Sequence, residues 1–114
     1  MQTYQGQCHC GKVQFEANFE LNKPYQCNCS LCKRRNAVMH RIPKGNLRIT
    51  QGNADLSLYQ FHTKVAKHHF CKHCGIFVYA RPRTSDTEMA INLHCIDADY
   101  SNISAHHLDG KSFD

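Results

Sequence analysis

Cysteine accounts for 8 of the 114 residues, and seven of the eight lie in three short clusters. The clusters read C-H-C-G at 8–11, C-N-C-S-L-C at 27–32 and C-K-H-C-G at 71–75. The N-terminus is polar and lacks the apolar stretch of a secretory signal, so we expect a cytoplasmic protein with reduced thiols. Clustered cysteines in such a protein are typical of metal binding or catalysis, and a C-x-C pair has poor geometry for a disulfide.

Two of the clusters predict a closed metal site. A structural zinc ion takes four protein ligands, which two cysteine pairs far apart in sequence supply. In the third cluster, Gly75 permits the positive φ that turns both sulfurs toward one ion. We therefore predict a structural zinc on the four-cysteine cluster, which consists of Cys8, Cys10, Cys71 and Cys74. Such a link suits a small domain with a thin hydrophobic core.

The middle cluster predicts a second and different zinc site. Its thiols form the three-cysteine cluster, which consists of Cys27, Cys29 and Cys32. Three thiolates hold a zinc ion and leave its fourth position open, as catalytic zinc sites do. In the alternative, Cys95 or a histidine fills that position and both sites are structural. Cys95 also continues the apolar alternation of residues 89–95, so we interpret it as a buried core thiol.

The formal charge of +5 does not by itself indicate a nucleic-acid partner. Seven thiolates on two Zn²⁺ ions carry seven negative against four positive charges, which lowers the net charge to about +2. A basic segment, Lys33 to Arg35 (Lys33, Arg34, Arg35), follows the three-cysteine cluster. It is either a solvated helix face or a wall that binds an anionic ligand, and the same two interpretations apply to Arg81 and Arg83. The aromatic residues do not alternate with basic ones as in single-strand binders.

The remaining sequence favours one mainly β domain over residues 1–114. Val13 to Phe19 alternates apolar and polar residues, which predicts a half-buried strand. Further strands are predicted at 37–42, 47–50, 56–61, 76–80 and 89–95, and a helical turn at 30–35 with Ser30 as its N-cap. No run approaches the ~18 apolar residues of a membrane span.

We interpret the histidines as mainly structural. His40, His62 and His94 lie on or beside predicted strands, where a histidine usually satisfies local hydrogen bonds. His9 and His73 lie inside cysteine pairs and are expected to point away from the metal. The pair at 68–69 precedes Cys71 and is expected to lie around the ligands of that site.

Taken together, these motifs resemble a known family. C-H-C-G, C-N-C-S-L-C-K-R-R and F-C-K-H-C-G-I-F occur in this order, followed by R-P-R at 81–83, N-L-H-C-I at 92–96 and L-D-G at 108–110. The sequence from Cys8 to Gly110 is similar to the glutathione-dependent formaldehyde-activating enzymes, a family that includes the centromere protein V group.

The resemblance implies an Mss4-like fold, in which several small antiparallel sheets are organised around zinc-cysteine sites. It implies a structural zinc on the four-cysteine cluster and a second zinc on the three-cysteine cluster, open to the thiol of glutathione. The implied activity is that of a carbon–sulfur lyase of the S-(hydroxymethyl)glutathione synthase type, which combines glutathione with formaldehyde. Cys95 matches a cysteine often seen at that place in the family.

The implied partners are a small-molecule thiol and an aldehyde, without a membrane or nucleic acid, and the sequence does not specify an oligomeric state. Glutathione is then a co-substrate, and Zn²⁺ is the cofactor at both sites. The alternative function is a non-catalytic zinc-binding module for a nucleic acid or a protein. A third possibility is a carrier that hands on a thiol or a metal ion.

Overall fold

The computed structural model describes residues 1–111, so the last three residues of the expected single domain, 112–114, lie outside the described residues. The described chain contains one α-helix, α1 (Ser30–Arg35), and ten β-strands. The strands are β1 (Gln2–Gln7), β2 (Gln14–Phe19), β3 (Tyr25–Cys27), β4 (Met39–Pro43), β5 (Leu47–Gln51), β6 (Leu56–Tyr59), β7 (Lys67–Cys71), β8 (Phe77–Arg81), β9 (Glu88–Asn92) and β10 (His106–Leu108).

The strands form two sheets. The smaller sheet has the order β1-β2-β5, and the larger has the order β10-β3-β4-β9-β8-β7-β6. Among the described strands, every pair is antiparallel except β10 and β3, which are parallel. The prediction of a mainly β fold with antiparallel sheets around cysteine clusters is confirmed. No helix within residues 1–111 has both the length and the apolar character needed to cross a membrane.

The main hydrophobic core joins the two sheets. The alternation in β2 buries one face of the strand, and the ring of Phe15 is only 1% exposed. Ile42, Val78 and Ile91 of the larger sheet are fully buried in the same core. A second, smaller core lies around α1 and includes Cys32, so the three-cysteine cluster is adjacent to packed side chains.

The sequence pattern missed four strands and misassigned one cap. Strands β1, β3, β7 and β10 are short or rich in polar residues, so they have no clear period of two. The predicted helical turn has the observed bounds of α1, but its N-cap is Cys29 and not Ser30. The thiol of Cys29 accepts the hydrogen bond that a serine hydroxyl accepts in the usual cap.

Candidate functional site

The four-cysteine cluster lies at two turns, one between β1 and β2 and one between β7 and β8, and Cys71 is the last residue of β7. Each turn contains a glycine in the left-handed region: Gly11 has a φ of 80° and Gly75 a φ of 78°. The Gly11 N–H donates to the Cys8 carbonyl at 3.3 Å, and the Gly75 N–H donates to the Cys71 carbonyl at 2.8 Å. These turns bring the four thiols, distant in sequence, to one point between the two sheets.

The sulfur atoms of this cluster have the spacing that zinc requires. All four Sγ atoms lie within 4.8 Å of one another. The Cys8 and Cys10 sulfurs are 3.6 Å apart, and those of Cys10 and Cys71 are 3.7 Å apart. A tetrahedral zinc ion with Zn–S bonds of about 2.3 Å separates its sulfurs by about 3.8 Å. The backbone N–H groups of Val13 and His73 donate hydrogen bonds to the sulfurs of Cys8 and Cys71, each at 3.4 Å.

The three-cysteine cluster is built by one strand and the helix that follows it. Cys27 ends β3, Cys29 caps α1, and Cys32 lies in the first turn of α1. The Cys32 backbone N–H donates to the Cys29 sulfur at 3.3 Å. The three Sγ atoms lie within 4.8 Å of one another, so this triad also fits a zinc ion.

A hydrogen bond between the thiols of Cys27 and Cys32 shifts their pKa values in opposite directions. The bond with the Cys32 thiol is the main reason that the pKa of Cys27 falls to about 5, and backbone N–H groups lower it further. The same bond, together with burial, raises the pKa of Cys32. A guanidinium nitrogen of Arg35, Nη2, lies 3.5 Å from the Cys32 sulfur. Negative charge on this cluster therefore lies mainly on the Cys27 sulfur.

The three-cysteine cluster has only three ligands within the described chain. Between residues 1 and 111, no fourth Cys, His, Asp or Glu ligand atom lies within 4.8 Å of all three sulfurs. This arrangement does not support the alternative in which Cys95 or a histidine completes the site. On the side of the C-terminal segment, a Cβ atom added to Gly110 would lie 2.3 Å from the Cys27 sulfur, so the backbone there packs directly on the cluster.

A cavity of about 350 Å³ lies against the three-cysteine cluster and is lined by all three of its cysteines. This volume is within the range of about 300–1,000 Å³ that is typical of small-molecule sites. Much of the wall is apolar, with Met39 and Phe61 among its residues. Three arginines also line it: Arg35, Arg41 and Arg83. The cavity thus combines an apolar wall, a thiol cluster and cationic groups that suit an anionic ligand.

Arg35 connects the cluster to a buried histidine. Its guanidinium group stacks on the ring of Phe77, with Cζ 3.7 Å from the ring centroid. While Nη2 contacts the Cys32 sulfur, Nη1 lies 3.1 Å from Nδ1 of His68. The cation is thereby held at the cavity wall by a thiol, an aromatic face and an imidazole.

The three residues of the basic segment lie in different surroundings. Arg35 lines the cavity, whereas Lys33 lines a separate cavity that also reaches Cys27 and Cys32. Arg34 lines neither, and its Nη1 donates to the Ser30 carbonyl at 2.9 Å. Contact of these three residues with an anionic thiol compound stays a prediction, for which Arg35 has the most suitable position.

Sequence reasoning missed several cavity residues, and it assigned His68 to the wrong cluster, because each lies on a different element. Arg41 of β4 donates from Nε to the Tyr25 hydroxyl at 3.3 Å. Phe61 and His68 lie on either side of the turn that joins β6 to β7, and their rings stack at 5.7 Å. No spacing rule connects such residues. Of the second arginine pair, Arg83 lines the cavity, whereas Arg81 donates to the carbonyl of Val65.

The remaining candidates have mainly structural contacts. His40 is buried, and its Nε2 accepts from the backbone N–H groups of residues 22 and 23. His73 points to Asp55, with Nε2 and Oδ1 2.7 Å apart. Cys95 packs against the main core, and burial raises its pKa to about 12. The expected position of His68 was wrong, because its side chain faces Arg35 and the cavity of the other cluster.

Comparison with known proteins agrees with this architecture. The model of the family described as "Glutathione-dependent formaldehyde-activating enzyme" matches residues 3–108. A crystal structure of a Rhodobacter sphaeroides protein superposes with a TM-score of 0.82. The two sequences are 33% identical, and the alignment covers 91% of this chain and 98% of that chain.

The fold and the thiol clusters define a small β-rich protein with two candidate zinc sites, one with four thiols and one with three thiols beside a cavity. Since the family model matches most of the sequence, the chain belongs to the glutathione-dependent formaldehyde-activating enzyme family.

Proposed function

We propose that the protein is a zinc-dependent carbon–sulfur lyase that forms S-(hydroxymethyl)glutathione from glutathione and formaldehyde. The observation that carries the proposal is the three-cysteine cluster without a fourth protein ligand, placed against a cavity that contains arginines. A four-cysteine cluster serves as the structural site, with Cys8, Cys10, Cys71 and Cys74 as its ligands. Both reactants are small molecules, and neither a membrane nor a nucleic acid is required.

The cavity residues suit glutathione as the thiol substrate. Glutathione carries two carboxylates, and Arg35, Arg41 and Arg83 provide guanidinium groups on the cavity wall that pair with carboxylates. The apolar side chains of Met39 and Phe61 exclude water from part of the space. These residues orient the substrate so that its thiol lies at the three-cysteine cluster.

Cys27, Cys29 and Cys32 would hold the zinc ion, which would lower the pKa of a substrate thiol bound to it. In the reaction, the thiol of glutathione releases its proton, and its sulfur forms a bond to the carbonyl carbon of formaldehyde. The π electrons of the carbonyl move to its oxygen, which then takes up a proton to give the hydroxymethyl group. The protein contributes chiefly by aligning the two reactants, which is worth several kcal/mol in well-oriented reactions.

We also place the protein in the cytoplasm. All eight cysteines are free thiols, and zinc-thiolate clusters persist where the surroundings keep thiols reduced. This compartment also supplies glutathione in its thiol form.

Zinc content and cobalt spectra provide the first test. We expect two zinc ions per chain, and we expect glutathione to shift the ligand-field spectrum of protein with cobalt at the three-cysteine cluster. Two ions with a spectrum that does not respond to glutathione would contradict the open-site proposal and favour the non-catalytic zinc-binding module.

The variant Cys29→Ser provides the second test. It should lose the second zinc, the cobalt response to glutathione and the turnover of formaldehyde, while the first zinc remains. Cys95→Ser is the matched control, because Cys95 lies outside both clusters. Turnover that survives in Cys29→Ser with only one zinc bound would contradict the mechanism.

A further inference from the structure

Arg35 is a cation that the described part of the chain leaves without a carboxylate partner. No ion pair among residues 1–111 includes it. Its Nε atom is buried and has no hydrogen-bond partner within the same residues. A partly buried positive charge costs free energy unless a negative charge lies beside it. The negative charge that balances Arg35 must therefore come from the other groups that its guanidinium group contacts.

The contacts of Arg35 identify the three-cysteine cluster as the source of that charge. Nη2 of Arg35 donates to the Cys32 sulfur at 3.5 Å and lies 3.7 Å from the sulfur of Met39. Nη1 donates to Nδ1 of His68 at 3.1 Å, and the centroid of the Phe77 ring lies 3.7 Å from Cζ. Burial and the charge of Arg35 lower the pKa of His68 to about 4, so its imidazole is neutral. Among these partners, Cys32 alone becomes an anion, when its cluster binds a metal ion.

The guanidinium group is also held where its charge acts strongly. Arg35 lines the cavity beside the three-cysteine cluster. Cys32 is 5% exposed and Met39 is 3% exposed, so little water lies between the guanidinium group and these two sulfurs. Charges interact more strongly where water is excluded. The stacking on Phe77 fixes the guanidinium group in this place before a substrate binds.

Binding of a substrate thiol adds negative charge to the cluster. Three thiolates and one Zn²⁺ carry a net charge of about −1, and a fourth thiolate makes it about −2. The thiol gives up its proton to water as it binds, so no further reactant takes part. Arg35 already contacts Cys32, one of the three sulfurs that would hold the ion. A fixed cation at that point offsets part of the added charge and favours the thiolate over the thiol.

We propose that Arg35 is a positioning residue for the sulfur end of the substrate, because its cation, acting through Cys32, offsets the charge of a thiolate at the three-cysteine cluster. The group recognised is the thiolate itself, so the effect extends to thiols that have no carboxylate. This inference rests on the proposed function and adds a second role for Arg35 to its pairing with carboxylates. Arg83 lines the same cavity and serves as the comparison, because it is assigned to carboxylates alone.

The test separates the sulfur end of a thiol from its carboxylates. Glutathione and 2-mercaptoethanol, which has no carboxylate, are titrated into protein with cobalt at the three-cysteine cluster. Arg35→Met removes the charge and keeps an apolar side chain, whereas Arg35→Lys keeps the charge. The matched control is Arg34→Met, because Arg34 belongs to the same helix, lines neither cavity and donates to the Ser30 carbonyl. Arg83→Met removes a carboxylate-binding group.

We expect Arg35→Met to raise the Kd of 2-mercaptoethanol about 10-fold to 100-fold, the usual effect of removing a group that hydrogen-bonds to a metal ligand. The Kd of glutathione should rise by at least this factor, and Arg35→Lys should recover part of both losses. Arg83→Met should raise the Kd of glutathione alone, and Arg34→Met should bind both thiols as the wild type does. An unchanged Kd of 2-mercaptoethanol in Arg35→Met would overturn the inference, because Arg35 would then act on carboxylates only.

A second measurement needs no thiol. Because the cluster with zinc is already negative, Arg35→Met should also hold zinc more weakly at the three-cysteine cluster, while the four-cysteine cluster keeps its ion. Competition with a chelator measures both sites, and an unchanged affinity at the three-cysteine cluster would overturn the inference. If Arg35→Met loses the ion of the four-cysteine cluster as well, Arg35→Gln, a shorter and neutral amide, is judged by the same criteria.

Failure of this inference is distinct from failure of the proposed function. If neither thiol changes the cobalt spectrum of the wild type, the proposed function itself fails. If the wild type responds to both thiols and Arg35→Met binds 2-mercaptoethanol equally well, the proposed function stands and the role of Arg35 at the sulfur is refuted.

Discussion

Gly110 is the residue at which the C-terminal segment comes closest to the three-cysteine cluster. An added Cβ would lie 2.3 Å from the Cys27 sulfur and 3.1 Å from the Cys29 Cβ. Hydrogen bonds fix the segment there, since Asn28 donates to the Asp109 carboxylate at 3.2 Å and accepts from the Lys111 N–H at 2.8 Å. The segment therefore cannot move away without breaking these bonds.

We expect Gly110→Ala to displace the thiols and to lower the zinc affinity of the three-cysteine cluster by about 10-fold or more, since a steric overlap of this kind costs about 1–3 kcal/mol. The first zinc should remain. Gly45→Ala is the control, because no atom lies within 4 Å of its added Cβ. The zinc affinity of both variants is measured by competition with a chelator. Equal affinities in Gly110→Ala and Gly45→Ala would contradict this account.

His40 gives a prediction about pH. Burial lowers its pKa in the folded protein, so the unfolded chain binds more protons as the pH falls below about 6.5. Its contribution to stability is complete above that pH and is lost as the pH falls toward the folded pKa, with a slope of at most about 1.4 kcal/mol per pH unit.

The free energy of unfolding in urea should therefore decrease from pH 7 to pH 5 more steeply in the wild type than in His40→Gln. The other titrating groups, including the thiols, affect both proteins alike. Equal slopes in the two proteins would show that His40 does not titrate differently in the folded state.

At the scale of single residues, site residues that lie close together along the chain could be predicted from the sequence. The three-cysteine cluster spans residues 27–32, so spacing alone predicted that its thiols meet. The direction of each side chain in the basic segment was not predictable, and only Arg35 reaches the main cavity. The contact of His68 with Arg35 joins residues 33 positions apart, which no local pattern indicates.

At the scale of secondary-structure elements, the strands predicted correctly are those that bury only one face. Strand β2 alternates because it has one face in the core, and its pattern was readable. Strand β7 has the sequence KHHFC. His68 lines the cavity on one face of the strand, and His69 stacks on Tyr79 on the other. A strand with polar residues on both faces has no apolar period, so it was missed.

Two turn glycines with nearly equal φ values allow a matched prediction. Gly52 has a φ of 79° and Gly75 a φ of 78°. An added Cβ on Gly52 would lie 2.0 Å from the Lys12 carbonyl oxygen, whereas one on Gly75 would have no atom within 4 Å. The two positions therefore share the backbone strain and differ in the steric overlap.

We expect Gly75→Ala to lower the free energy of unfolding by about 1 kcal/mol, from strain alone. Gly52→Ala should lower it by about 2 kcal/mol or more, because the overlap with the backbone adds to that strain. Urea denaturation with saturating zinc measures both. Equal losses would show that the turn at Gly52 adjusts without cost.

At the scale of the whole molecule, the two cysteine clusters connect different parts of the structure. The four-cysteine cluster takes two ligands from the β1–β2 turn of the smaller sheet. From the larger sheet it takes one ligand at the end of β7 and one in the β7–β8 turn. The three-cysteine cluster takes all its ligands from β3, α1 and the residue between them. A metal ion in the first cluster therefore connects the sheets, whereas one in the second orders a single local segment.

This difference predicts unequal melting temperatures for two variants that each replace one cysteine ligand by serine. Cys71→Ser should lower the Tm by at least about 10 °C, since a loss of about 2 kcal/mol has that effect in a domain of this size, and structural zinc commonly contributes more. Cys29→Ser should change the Tm by only a few degrees. Circular dichroism melts with parallel zinc analysis test this, with Cys95→Ser as the control. Equal losses of Tm in the two variants would mean that the four-cysteine cluster does not join the sheets, and that the hydrophobic core around Phe15 is sufficient.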